Sequence, residues 1–151
     1  MIVEAEIEEK IAGLFADALD EAGLQKPRTE LSWGVADPGD VKGRGDASGV
    51  ILSVAVGIRS YPEYVSPQCD LPCAVVLTLR RDACPTGSKL ASYIEPLLTL
   101  LHSWQADIDA VCTALESLSF SPAGFNLTGA DRQQSEDGWT VAFGFTLRGG
   151  I

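Results

Sequence analysis

The last strand-like run of the chain constrains its fold most. Between Trp139 and Leu147, the large residues Trp139, Val141, Phe143, Phe145 and Leu147 alternate with Thr140, Ala142, Gly144 and Thr146. A period of two places the first set on one face of a β-strand and the second set on the other. At roughly 1.5–3 kcal/mol per buried large side chain, the apolar face contributes about 10 kcal/mol before chain entropy is subtracted. Such a strand needs partner strands beside it and a layer over its apolar face, which excludes an all-helical fold. The chain has 151 residues, enough for one core and not for two.

Three further strand segments and three helical ones are legible. Leu52, Val54, Val56 and Ile58 alternate with small residues, as do Cys73, Val75, Leu77 and Leu79. The connector from Arg59 to Leu71 is too short for a parallel crossover with a helix, so these two strands are expected to form a long-tipped antiparallel hairpin. Phe125 and Leu127 mark a partner for the last strand, with Asp131 to Gly138 as a polar turn. Ile2 to Ala22 reads as an amphipathic helix with Ile7, Ile11, Leu14, Phe15, Ala18 and Leu19 on one stripe and Gly23 as its stop. Glu4, Glu6, Glu8 and Glu9 favour its positive dipole end, and the acidic face is expected to be solvated. Ser88 is a candidate cap for a helix through Leu101, which must kink at Pro96 or be re-set one turn earlier. A further helical stretch runs from Ser103 to Leu118. Between Leu24 and Gly49 no period persists. The expected fold is α+β: a small, mainly antiparallel sheet of about four strands, in two hairpins, with helices packed on one face. It forms a single domain over 1–151 with a long irregular loop at about 24–49.

Composition narrows the function. Acidic residues outnumber basic ones 21 to 11, for a net charge of -10. A duplex reader normally presents a basic face that releases counterions, so specific nucleic-acid binding is not expected. The longest stretch free of charged residues, Ser117 to Ala130, is too short and too polar for a membrane span. The N-terminus lacks the basic and then apolar run of a secretion signal, so a soluble, cytoplasmically made protein is expected. Cys69, Cys73, Cys84 and Cys112 do not form the paired spacing of a structural zinc site, and Cys73 keeps step with a buried strand face. Core or surface thiols are the simpler reading.

Reactive constellations are missing. His102 is the sole histidine, and no second one could serve a serine or cysteine triad. Gly87-Ser88-Lys89 is not a phosphate-binding loop, and the glycines around Arg44-Gly45-Asp46 miss the dinucleotide spacing. Asp107 and Asp109 point to different sides of a helix, and Glu136-Asp137 sits where a turn expects acids. The expectation is a protein that is not an enzyme and uses no cofactor and no metal. Its candidate contact residues are Trp33, at the entrance of the irregular loop, and Tyr61 and Tyr64, on the Pro-rich connector. All three are large aromatics outside any apolar period, and aromatics are enriched at interface hot spots. Covering the domain's own core edge is the alternative role.

The order helix, loop, hairpin, Pro-interrupted helix and terminal strand pair resembles the tail terminator proteins of long-tailed double-stranded DNA phages. The likeness is carried by Tyr93-Ile-Glu-Pro-Leu-Leu98, by Ile108 to Leu118, by Gly124-Phe-Asn-Leu-Thr-Gly-Ala-Asp131 and by Asp137 to Leu147. The loop from Gly34 to Gly49 and the cysteine-bearing connector depart from that pattern. The resemblance implies a virion tail protein, made in the bacterial host cytoplasm, whose copies close a six-fold ring. The ring caps the last layer of tail tube protein and offers its other face to head completion or neck proteins. DNA passes through it without specific binding, and carboxylates lining the lumen would not hold the phosphates. A small non-catalytic bacterial binding or adaptor domain shares the same composition and remains the alternative. So does a metal- or thiol-dependent enzyme using Cys69 and Cys73.

Overall fold

The computed structural model describes residues 2–33, 49–61, 67–117 and 119–151. Helix α1 (Val3–Glu21) is followed by strands β1 (Arg28–Leu31), β2 (Val50–Val56) and β3 (Gln68–Arg80). Helices α2 (Gly87–Ala106) and α3 (Ile108–Leu115) come next, and the hairpin of β4 (Ser121–Ser135) and β5 (Gly138–Gly150) ends the chain. The strands form one sheet in the order β1-β2-β3-β5-β4. All neighbours are antiparallel except β1 and β2, which run parallel. The α+β class and the helices on one side of a mainly antiparallel sheet are as the sequence implies.

Strand β5 sits inside the sheet. It pairs along its whole length with β3, from Gly138 opposite Arg80 to Gly150 opposite Gln68, and with β4 on its other side. Its apolar face is buried as the alternation predicts: Val141, Phe143, Phe145 and Leu147 are all at 2% exposure or less. The helices close over this face. Trp104, near the end of α2, lies 6.1 Å from Phe15 of α1, 5.7 Å from Phe125 of β4 and 6.2 Å from Phe145 of β5, measured between ring centroids. The contacts to Phe125 and Phe145 are edge-on, the arrangement that ring quadrupoles favour. One indole thus joins two helices to two strands.

Local chemistry explains the element ends. α1 stops where Gly23 turns left-handed at φ +79°, and the Leu24 amide donates back to the Leu19 carbonyl. α2 starts at Thr86 and not at Ser88; the Thr86 hydroxyl accepts the Lys89 amide. It also continues as one helix through Pro96, so it is not re-set one turn before the proline. The lost backbone hydrogen bond is offset by burial on both sides of the proline, at Tyr93, Leu97, Leu101 and Trp104. The break comes instead at Asp107, which is extended and caps α3 through its carboxylate to the Asp109 amide.

Two sheet boundaries also differ from expectation. The stretch after Leu24 contains a fifth strand, β1, too short and too polar to show a period. Asp131 to Ser135 is not turn but the far end of β4, and the turn is Glu136-Asp137 alone. Those residues are exposed on both faces, so no apolar alternation marks them as strand. The tight turn demands Gly138, whose φ is +147° and whose added Cβ would lie 1.9 Å from the Leu79 carbonyl oxygen. Gly138→Ala is therefore expected to cost roughly 3 kcal/mol in urea unfolding, from backbone strain and collision together. Gly129→Ala, with open space around its Cβ, should stay within about 0.5 kcal/mol.

Candidate interaction surface

The N-terminal helix carries two carboxylates that the sequence reading left in water. Glu8 is fully buried and Glu4 is 3% exposed. Burying a carboxylate costs several kcal/mol unless its oxygens find donors. Both find them. One Glu8 oxygen accepts the Ser32 amide at 2.8 Å and the Ser32 hydroxyl at 2.5 Å; the other accepts the Trp33 amide at 2.8 Å. Glu4 holds the Arg59 guanidinium, with Nη2 at 2.6 Å and Nε at 2.9 Å from the same oxygen. The bond to Glu4 raises the Arg59 pKa above its ordinary value, and the Tyr61 side chain adds a smaller contribution in the same direction.

These two anchors sit one helical turn apart and hold the chain just after β1 and just after β2. They place Trp33 and Tyr61. The Trp33 indole N–H donates to the Val56 carbonyl at 2.5 Å, while the residue remains 36% exposed; Tyr61 is 54% exposed. Ile58 and Ile2 lie beside the same anchors, and Ile151 follows Gly150, the partner of Gln68. Ile2, Trp33, Ile58, Tyr61 and Ile151 are thus large exposed apolar residues gathered at one end of the sheet, with Ile108 apart on α3. Tyr64, the third aromatic candidate, lies outside the described residues, as does Arg44-Gly45-Asp46. The sequence signal for the anchors was present. Glu4 and Glu8 stand four apart and in line with Ile11 and Phe15, inside the apolar stripe and not opposite it.

The opposite end of the sheet is polar. There Arg80 and Arg81 lie beside the hairpin turn, where Gln133, Gln134, Ser135, Glu136 and Asp137 are all exposed. The helix-free face between the two ends is rich in small residues, among them Ser53, Ala55, Ala74, Thr78, Thr140, Ala142, Gly144 and Thr146, with Ile51 and Val76 set between them. Its charges stand at the margins, as in the Arg148–Asp70 pair at 2.8 Å. The exposed acids lie largely in the helical layer, at Asp17, Asp20, Glu21, Glu95, Asp107, Asp109 and Glu116.

Nothing in the described residues converges on a reacting atom. His102 is exposed. Cys69, Cys73 and Cys84 are buried free thiols and Cys112 is partly exposed. Burial is the main cause that pushes the thiols of Cys69, Cys73 and Cys84 up, and the Glu8 carboxylate adds to the effect at Cys73. Among the described residues, no three His, Cys, Asp or Glu side chains gather as a metal site, and no helix is long and apolar enough to cross a membrane. A shallow groove between α1 and α2, along Ala18, Glu21, Glu95 and Pro96, is open to solvent. No known family and no curated protein sequence matches the chain.

Two outcomes test the anchors and the thiols. Glu8→Ala leaves the Ser32 and Trp33 amides without their charged acceptor and is expected to cost about 2–3 kcal/mol. Trp33 should lose its fixed seat in that variant, read as a change in its fluorescence against a Trp104→Phe, Trp139→Phe background. Buried thiols with raised pKa remain protonated in the native state beyond the pH at which the unfolded chain ionises. Their share of stability is present at neutral pH and lost as pH climbs through the folded values. Alkylation of the native protein near pH 8 should accordingly mark Cys112 first and spare Cys73 until unfolding.

Proposed function

We propose that the protein is a structural subunit of phage morphogenesis: a ring-forming tail terminator that caps the tail tube and presents a surface for head attachment. The observation that carries this reading is the contrast between the two ends of the sheet. One end offers preset aromatic and aliphatic side chains, and the other offers a polar hairpin turn. A ring of like subunits, each related to the next by rotation, exposes two different faces for two different partners. A subunit with chemically distinct ends suits that task.

The anchors support the same reading. Trp33 is held by its own indole bond and by Glu8 beneath its amide, and Tyr61 stands next to the Arg59–Glu4 pair. A surface fixed before contact loses less conformational entropy on binding. Trp, Tyr and Arg are also the residues most enriched at interface hot spots. The middle of the helix-free sheet face carries small uncharged residues, with charges of both signs at its edges and ends. It so offers no central row of cations to the phosphates, which supports passage of DNA without specific binding.

The decisive experiment is co-purification with tail tube protein, with tube ends imaged for a cap, alongside light scattering over a range of protein concentrations. A discrete ring, in solution or on the tube end, is the expected result. A protein that stays monomeric in both settings would return the reading to a small bacterial binding domain. Trp33→Ala, Tyr61→Ala and Tyr64→Ala should each weaken ring or tube binding about tenfold, equivalent to about 1.4 kcal/mol, while the monomer stays folded.

A further inference from the structure

Among the described residues the sheet has two edges, and they match each other. β4 is one edge and β1 the other. β2, β1 and β5 run in one direction and β3 and β4 in the other. If copies are related by rotation about an axis roughly along the strands, each β4 meets a neighbour's β1 in the antiparallel sense. The contact joins two different edges, so it is heterologous and can close a ring.

The two halves of β4 differ. In the first half its outer groups are met within the subunit: the Leu127 amide donates to Gln105 Oε1 at 2.8 Å, and the Pro122 carbonyl accepts the Cys112 thiol. Beyond the irregularity between Leu127 and Gly129, the strand is exposed on both faces through Ser135. Ser135 and Gly138 flank the two-residue turn, which directs the backbone groups of Ser135, Gln133 and Asp131 toward β5. Ala130, Arg132 and Gln134 therefore direct theirs outward. The Arg132 amide is met by the Asp131 carboxylate at 2.8 Å, and among the described residues no strand or side chain is recorded against the backbone of Ala130 or Gln134. On β1, the Ser32 amide donates to the Val54 carbonyl. By alternation, Thr29 and Leu31 direct their backbone groups away from β2.

Charge then selects the register. Arg28 and Glu30 share the helix-free face, because they pair with Ile51 and Ser53. Asp131 and Gln133 lie on that same face, opposite Ala142 and Thr140. With Arg28 opposite Asp131, Thr29 falls opposite Ala130, both outward-directed, and Glu30 falls opposite Gly129. Sliding by two residues sets Glu30 against Asp131, a like-charge pair that destabilises a sheet. Arg28 also has an unmet need. It bonds Glu30 through Nη2, while its Nε is a buried side-chain donor without a hydrogen-bond partner among the described residues.

We propose that β1 of a second copy of this chain adds to the outer edge of β4 in antiparallel register, with Arg28 of one copy opposite Asp131 of the other. The proposal rests on the ring reading above and names the contact that closes the ring.

The test uses single-cysteine additions at exposed positions. Glu30→Cys protein is mixed with Gly129→Cys protein and oxidised mildly; a Cβ added at Gly129 meets nothing within 4 Å. The expected product is a covalent dimer from the mixture, at least tenfold above either variant alone. The double variant in one chain should give a ladder that ends at the ring size. Asp131→Lys should weaken assembly at least tenfold, and Arg28→Glu added to it should restore most of the loss. Rings seen by light scattering or on tube ends without the Glu30–Gly129 cross-link would overturn this contact and leave the ring reading standing. Absence of any ring in either setting would overturn both. An Asp131→Lys variant that assembles normally would overturn the register.

Discussion

Everything in this molecule hangs from β5. It is flanked by a strand on each side and carries the large side chains on which the helices settle. Because β3 and β4 pair with it along nearly their full lengths, its register determines theirs, and a slip of one residue would turn Val141, Phe143, Phe145 and Leu147 to solvent. Trp104 then ties the helical layer to it by touching Phe145 directly and Phe125 one strand away. The covered face and the bare face follow from that one arrangement.

The bare face and the edges are the less ordinary part. A sheet with one helical layer normally carries polar residues on its other side, and here the central positions are mostly Ser, Ala, Thr and Gly, with the charges kept to the edges and ends. Small side chains leave that face flat. The far half of β4 projects beyond the helical cover, so its backbone lies open on the outer side. Native proteins blunt such edges with charges and irregularities, and β4 has both, in Asp131, Arg132 and the break near Leu127. What remains is a short stretch around Ala130, matched in length and direction by β1.

Glu4 and Glu8 connect the fold to the surface. Two buried carboxylates add little to net stability once their desolvation is counted, yet they hold the residues after β1 and β2 in place. That positioning is what presets Trp33 and Tyr61 at the apolar end. Three backbone or hydroxyl donors satisfy Glu8, so its role does not depend on a single mobile partner.

The sequence by itself determined the class of fold, the interior strand and the main helical stripe, because burial of one face writes a period of two or of 3.6 into the chain. It also singled out Trp33 and Tyr61 as large aromatics outside any period, and both are exposed. It could not reveal β1 or the far end of β4, since strands whose side chains stay in water carry no apolar alternation. It offered a kink at Pro96 or a helix re-set one turn earlier, and burial around Tyr93 and Leu97 keeps the helix continuous through the proline. The burial of Glu4 and Glu8 was decided only by tertiary structure, because a carboxylate within an apolar stripe is stable there only if distant backbone brings it donors. That β1 and β4 form the two edges of the described sheet likewise follows only from the strand order.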